Sequence, residues 1–344
     1  MSFINLIVIN FFKFLALLGF DTAKVISKNS FISPDIGLNI SIDRSIEIVR
    51  SCGWGFRKSL PIRFINPAGK SSSEVLNILA SGSSVTRLSE QETKWLSARD
   101  ILTLNLSHLL DIVPSYCLMQ LPLERLNRTE DDDELFWAQY CQLAIESIVG
   151  DSERFHGTKF LLRTTSTVFA RKRKSALEKE LVAKFGEKNI KHLRIISIAA
   201  PYESTISDIC NRNKELIEDS ESDFLLKLGS TLPLAIMTGV ALGYTKICLF
   251  GCDLLDSTHF YDDESFSSKF DGELRFPAIW NPNKESINLD LFTNTAIRKT
   301  TQLEDVAELA NWLRENLAVE VRIVNSDTAF SGLLKTVDSS WYEE

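Results

Sequence analysis

From residue 74 onward, short apolar runs alternate with amphipathic segments. Val75 to Ala80 has the length and composition of a buried strand. So do Ile101–Leu104, Tyr116–Met119, Phe160–Leu162, Ile195–Ile198 and Ile247–Phe250, with a last strand at Val319–Val324. Helical patterns fall at Gln91–Ser97, Asp132–Val149, Leu232–Leu242 and Leu303–Leu317. The acidic run Asp131 to Asp133 complements the positive end of a helix dipole. This alternation predicts an α/β fold, a Rossmann-like and mainly parallel sheet with helices on both faces. Ile247–Phe250 is expected as a central strand.

Ahead of this region lies the most apolar stretch, residues 3–20. Asn5, Asn10 and Lys13 interrupt it, and on a helical wheel they share a sector of about 140°. A cleaved signal peptide fits poorly, because no basic segment precedes the run and no small-residue cleavage site follows it. The length suits a spanning helix, but the polar stripe favours a helix lying in a membrane interface. A buried N-terminal helix of the fold remains the alternative. Residues 21–73 read as irregular structure with turn signals at Gly53-Trp54-Gly55 and Asn66-Pro67-Ala68-Gly69. The expected organisation is an apolar helix within 1–30, an extension over 31–73 and the α/β domain over 74–337. A lid segment is expected at about 264–300, around Pro277, Trp280 and Pro282.

The chain has 344 residues, enough for one large α/β domain with additions. Its net charge of −8 argues against a uniformly cationic nucleic-acid binder. An anionic substrate would need a local basic or amide-rich site. The one basic cluster, Arg171 to Lys174, suits a solvated helix start or a contact with anionic lipid. The six cysteines are dispersed, which fits a reducing compartment, and Cys248-x3-Cys252 alone is a poor zinc signature.

In an open parallel sheet, ligands bind beyond the carboxyl ends of the strands. The residues there are therefore the candidates. After the first strand come Ala80, Ser81, Gly82, Ser83 and Ser84. Small residues with turn amides and hydroxyls can hold a phosphate, and an ordinary strand-to-helix turn has the same look. Asn105 and Gln120 end the next two strands, where an amide can bind a sugar or base or simply close a turn. Ser230 or Thr231 would cap the most apolar helix, whose free first-turn amides can accept an anion. Gly251 to Asp263 follows the strand at Ile247–Phe250 and is the densest polar cluster. In it, Asp253, His259, Tyr261 and Asp262 can act as acid, base or sugar-binding groups. No Asp-x-Asp pair ends this strand, so metal-independent chemistry with no cofactor is expected.

The order of these segments resembles a known group. The strand, ASGSS at 80–84, Asn105 and Gln120 are followed by GSTLPLAIMTGVALGYTKICLFGCDL at 229–254, THFYDD at 258–263 and VRIVNSDTAFSGLL at 321–334. The pattern is similar to the bacterial sialyltransferases of glycosyltransferase family 42 and to the 3-deoxy-manno-octulosonic acid (Kdo) transferases of lipopolysaccharide-core assembly. Its most specific part is the helix–strand unit through Leu242-Gly243-Tyr244 to Gly251-x-Asp253, with Tyr261 eight residues on.

The resemblance implies glycosyl transfer from a CMP-activated 2-keto sugar acid to a glycolipid or oligosaccharide acceptor such as lipopolysaccharide. The location it implies is cytoplasmic, peripheral at the inner face of the membrane. It would place Ser81 to Ser84 by the phosphate or cytidine, and Asn105 and Gln120 on the nucleotide or donor sugar. Ser230 and Thr231 would hold the donor carboxylate or phosphate. Asp253 would support the ribose or shape the pocket, and Tyr261 would hydrogen-bond the leaving phosphate. The sialyltransferases carry a catalytic His in the lid, and 264–300 has none here. The general base is then His259 or Asp262. Two alternatives share parts of the pattern: a pterin diphosphokinase-like phosphotransferase, and a catalytically degenerate nucleotide-binding subunit.

Overall fold

The structure is a computed structural model and describes residues 74–104, 106–121, 143–164, 176–197, 205–212, 214, 217, 224–227, 231–253, 260, 302–324 and 328–343. The N-terminal apolar stretch, the basic cluster and the lid segment lie outside the described residues.

Among the described residues, eight strands form one sheet. They are β1 (Val75–Leu79), β2 (Asp100–Leu104), β3 (Tyr116–Leu121), β4 (Lys159–Thr164), β5 (Ile190–Ser197), β6 (Phe224–Lys227), β7 (Lys246–Phe250) and β8 (Glu320–Ile323). Their order is β6-β5-β4-β3-β2-β1-β7-β8, and every ladder is parallel. The helices are α1 (Glu90–Ser97), α2 (residues 143–150), α3 (Ala176–Phe185), α4 (Ile206–Arg212), α5 (Thr231–Ala241) and α6 (Gln302–Leu317).

The strands alternate strictly between two apolar faces. Leu76, Ile78, Leu102, Leu104, Leu118, Leu161, Ile247 and Leu249 pack beneath α4, α5 and α6. Val75, Leu79, Ile101, Cys117, Met119, Phe160, Leu162 and Phe250 face the other way, toward α1, α2 and α3. Burial on both faces explains the near-continuous apolar runs. Among the described residues no helix is long and apolar enough to cross a membrane.

Two expectations are corrected, and three elements were not read. Strand β7 is not central; it is second from an edge, with β8 outside it. β5 begins at Ile190, five residues before the expected start. Its early half interleaves Lys191, His192 and Arg194, which breaks the apolar run. β6, α3 and α4 carried too short or too mixed a pattern to be read.

The chain builds outward from β1 through β6 and then returns to lay β7 on the other side of β1. The direction of winding therefore reverses between β1 and β7. Open α/β sheets bind ligands beyond the carboxyl ends of the strands at such a switch point.

The amino edge is stapled separately. Helix α5 ends in a Schellman turn, with the Gly243 N–H donating to the Val240 carbonyl at 2.9 Å and the Tyr244 N–H to the Gly239 carbonyl at 3.1 Å. Gly243 has φ +89° there. The Tyr244 hydroxyl donates to Asp100 Oδ2 at 2.6 Å. Burial, followed by its bond to Asp100, pushes the Tyr244 pKa far above its usual value. The Leu-Gly-Tyr motif is thus architectural, at the edge opposite the carboxyl ends of the strands.

Candidate functional site

At the switch point the register of β1 on β7 ends at Leu79 and Phe250. The two chains stay together beyond it. Ala80 N–H donates to the Phe250 carbonyl at 2.9 Å, and Gly82 N–H to the Gly251 carbonyl at 2.8 Å. Gly251 has φ +64°, in the left-handed region. A Cβ on it would lie 2.4 Å from Val85 Cγ1, and one on Gly82 would lie 2.5 Å from the Gly251 carbonyl oxygen. Two glycines 169 positions apart let the backbones meet.

Asp253 closes this junction. Its carboxylate Oδ2 accepts from the Ser84 N–H at 2.7 Å and from Ser83 Oγ at 3.4 Å, and Oδ1 accepts from the Ser84 hydroxyl. Asp253 is 7 % exposed, so these donors compensate a largely desolvated charge. Residues 83–87 form a 3-10 turn with Arg87 at its end. The exposed Arg87 guanidinium reaches Ser83 Oγ at 3.4 Å, and nothing in the local sequence pattern singled out this cation.

Two further segments join. Phe260, fully buried, donates its N–H to the Ser81 carbonyl at 3.0 Å. Ala329 N–H donates to the Asp253 carbonyl at 2.9 Å, anchored between buried Thr328 and buried Phe330. Four chain segments, distant in sequence, therefore share one edge of the sheet: 80–84, 251–253, 260 and 328–330.

Of the expected site residues, Ser81, Gly82, Ser83, Ser84 and Asp253 stand together here. Thr231 is the first residue of α5, which follows the carboxyl end of β6 after a three-residue connection. This puts Thr231 at the carboxyl edge of the sheet. Gln120 is placed by its backbone near the carboxyl end of β3. Its side chain, together with Asn105, Ser230, His259, Tyr261 and Asp262, lies outside the described residues. Among the described residues no group of three His, Cys, Asp or Glu is placed to hold a metal ion.

The thiols nearest the site, of Cys248 and Cys252, are free and buried. Burial pushes the Cys248 thiol up to about 12 and the Cys252 thiol higher still. Among the described residues, the junction offers hydroxyls, the Asp253 carboxylate and the Arg87 cation on its outer side.

No protein-family model matches the sequence, and no curated protein matches it. Solved structures do show a likeness. One is the sialyltransferase CstII from Campylobacter jejuni in complex with the substrate analogue CMP-3FNeuAc, at 11 % identity and TM-score 0.43, covering 78 % of this chain and 88 % of that one. Another is the monofunctional alpha-2,3-sialyltransferase Cst-I from the same organism, at 13 % identity and TM-score 0.40, covering 77 % and 80 %. At these values the likeness carries no functional weight.

Proposed function

We propose that this chain is a glycosyltransferase that moves a 2-keto sugar acid, sialic acid or Kdo, from a CMP-activated donor. The acceptor is a lipopolysaccharide or lipooligosaccharide, and the reaction needs no metal. The observation that supports this most is the convergence at the β1–β7 switch point. The ASGSS turn, the Gly251-x-Asp253 strand end, Phe260 of THFYDD and Thr328 to Phe330 of the C-terminal motif are the segments that carry the sequence resemblance. They meet at one edge of the sheet.

The chemistry follows from the donor. Its carboxylate and phosphate are both anionic, and a transition state with oxocarbenium character needs the departing phosphate stabilised. Tyr261, next in sequence to the anchored Phe260, supplies a hydroxyl to that phosphate. His259 or Asp262 takes the proton from the acceptor hydroxyl. Ser230 and Thr231, at the start of α5, hold donor charge with hydroxyls and first-turn amides. Asn105 and Gln120, at the ends of β2 and β3, contact the nucleotide or the sugar. Residues 3–20 bring the enzyme to the inner membrane face, where a lipid-linked acceptor is found.

The test is transfer by the full chain from CMP-sialic acid and CMP-Kdo to lipooligosaccharide in EDTA, following CMP release and acceptor mass. Transfer with either donor supports the proposal. Magnesium-dependent diphosphate transfer to a pterin would establish the phosphotransferase alternative. CMP binding with no turnover on any acceptor would establish the degenerate subunit.

A further inference from the structure

Beyond β8 the chain adds one more short stretch of pairing. Ile323 N–H donates to the Lys335 carbonyl at 3.0 Å and Val337 N–H to the Ile323 carbonyl at 2.8 Å, so Thr336 lies parallel to Ile323. Just before it, fully buried Phe330 holds a tight turn, its carbonyl accepting from the Leu333 and Leu334 N–H groups at 2.9 and 3.0 Å. Turn and strand edge together line a cavity of about 640 Å³, with Arg322, Ser331, Leu334, Lys335, Thr336 and Asp338 among its walls. Sites for small molecules span about 300–1,000 Å³. Ser331 is two residues from Ala329, whose N–H meets the Asp253 carbonyl, so the wall begins within about 7 Å of the junction.

The walls differ in charge. Arg322 Nε and Nη2 donate to Glu320 Oε2 at 3.0 and 2.7 Å, and Nη1 donates to Asp338 Oδ2 at 2.5 Å. Its guanidinium also lies over the Trp341 ring, 4.6 Å from the centroid. Arg322 is therefore a fixed wall whose charge two carboxylates offset. Lys335 is exposed and has no ion-pair partner among the described residues. In a chain of net charge −8, a cation left without an offset beside the Ser331 and Thr336 hydroxyls favours an anionic group on a hydroxyl-rich ligand. Ile323 and Leu334 add apolar surface, which the C–H face of a sugar ring can cover. Resting on the proposed function, we propose that this cavity is an acceptor subsite. It holds a sugar of the acceptor oligosaccharide that carries a phosphate or a carboxylate, and Lys335 selects for that charge.

The experiment is calorimetry at low salt on the full chain, wild type, Lys335→Gln and Lys335→Arg. The probes are delipidated lipooligosaccharide core, the same core stripped of phosphate and reduced at its carboxyls, and inorganic phosphate. Wild type should bind the anionic core about three- to fivefold tighter than the neutral one, the scale of an exposed ion pair. Added salt should erode that preference. Lys335→Gln should abolish it without weakening the neutral core, and Lys335→Arg should keep it, both at the wild-type melting temperature. No binding of either core, equal binding of both, or a preference that survives Lys335→Gln would overturn the proposal. Inorganic phosphate binding as tightly as the anionic core would show an anion site without a sugar, and would overturn it too. A chain that transfers from a CMP-sugar yet shows no preference sinks the subsite alone. One that keeps the preference but binds no CMP sinks the proposed function and leaves a saccharide site.

Discussion

Gly82→Ala tests the junction through the sign of a stability change. Gly82 has φ −65° and ψ 155°, a conformation open to any residue. Substitution therefore carries no backbone strain. On an ordinary surface turn it would stabilise the protein by about 0.4–1 kcal/mol, through the reduced entropy of the unfolded chain. Here the new Cβ would lie 2.5 Å from the Gly251 carbonyl oxygen, 2.6 Å from Asp253 Oδ2 and 2.8 Å from Asp253 Cγ. The nearest of these is backbone, held by the ladder of β1 on β7, so it cannot swing aside as a flexible side chain would. The strands must part by roughly half an ångström or more, at the usual overpacking cost of about 1–3 kcal/mol. The Gly82 to Gly251 hydrogen bond weakens as well, by up to about 1 kcal/mol. The net expectation is a loss of about 1–3 kcal/mol. Urea unfolding of the full chain measures it, as a lower midpoint at constant slope. A midpoint equal to or above that of wild type would mean that the two loops are not in contact, and would refute the junction.

Other outcomes follow from the same structure. Asn77 is fully buried in β1, donating to the Trp95 and Leu96 carbonyls at 3.0 and 3.1 Å and accepting from the Tyr342 hydroxyl at 2.7 Å. Asn77→Leu strands those groups and should cost about 2–4 kcal/mol in urea unfolding, with loss of the near-UV signal of the stacked Trp95–Tyr342 pair. Burial raises the Cys117 and Cys248 thiols from 9.0 to about 12. Above pH 9 the unfolded chain releases thiol protons that the folded chain keeps, so stability should fall by up to about 1.4 kcal/mol per pH unit for each thiol. Stability that stays flat between pH 9 and 10.5 would contradict that burial. Tyr261→Phe should lower turnover ten- to a thousand-fold, about 1.4–4 kcal/mol, without changing the melting temperature; undiminished turnover removes Tyr261 from the mechanism.

The elements buried on both faces were legible in the sequence because an uninterrupted apolar run of strand length, bounded by turn residues, suits a strand covered on both sides. β1, β2, β3 and β7 are found within one or two residues of their expected bounds. β6 was not legible. FLLK is four residues beside an acidic stretch, a run too short to separate from a turn of helix. Order within the sheet was not legible either, since nothing local in β7 says that it returns beside β1. The candidate turns were found by their position after strands. Their partnership was not, because the Ser84 to Asp253 bond spans 169 residues and the Asn77 to Tyr342 bond 265. Asn77 sat inside an apolar run and drew no notice; a lone amide there was the signal of a buried polar anchor. Leu-Gly-Tyr, one portion of the most specific part of the resemblance, belongs to the helix C-cap and the amino edge.

The proposed transfer requires a β1–β7 edge that takes a cytidine monophosphate ester. A thermal-shift panel of CMP, UMP, GMP and AMP on the full chain tests it most directly, because a ligand selective for the folded state raises the melting temperature. The expected result is a rise with CMP that Gly82→Ala abolishes and that the other three nucleotides do not match. A larger rise with another nucleotide, or a CMP response untouched by Gly82→Ala, would contradict it.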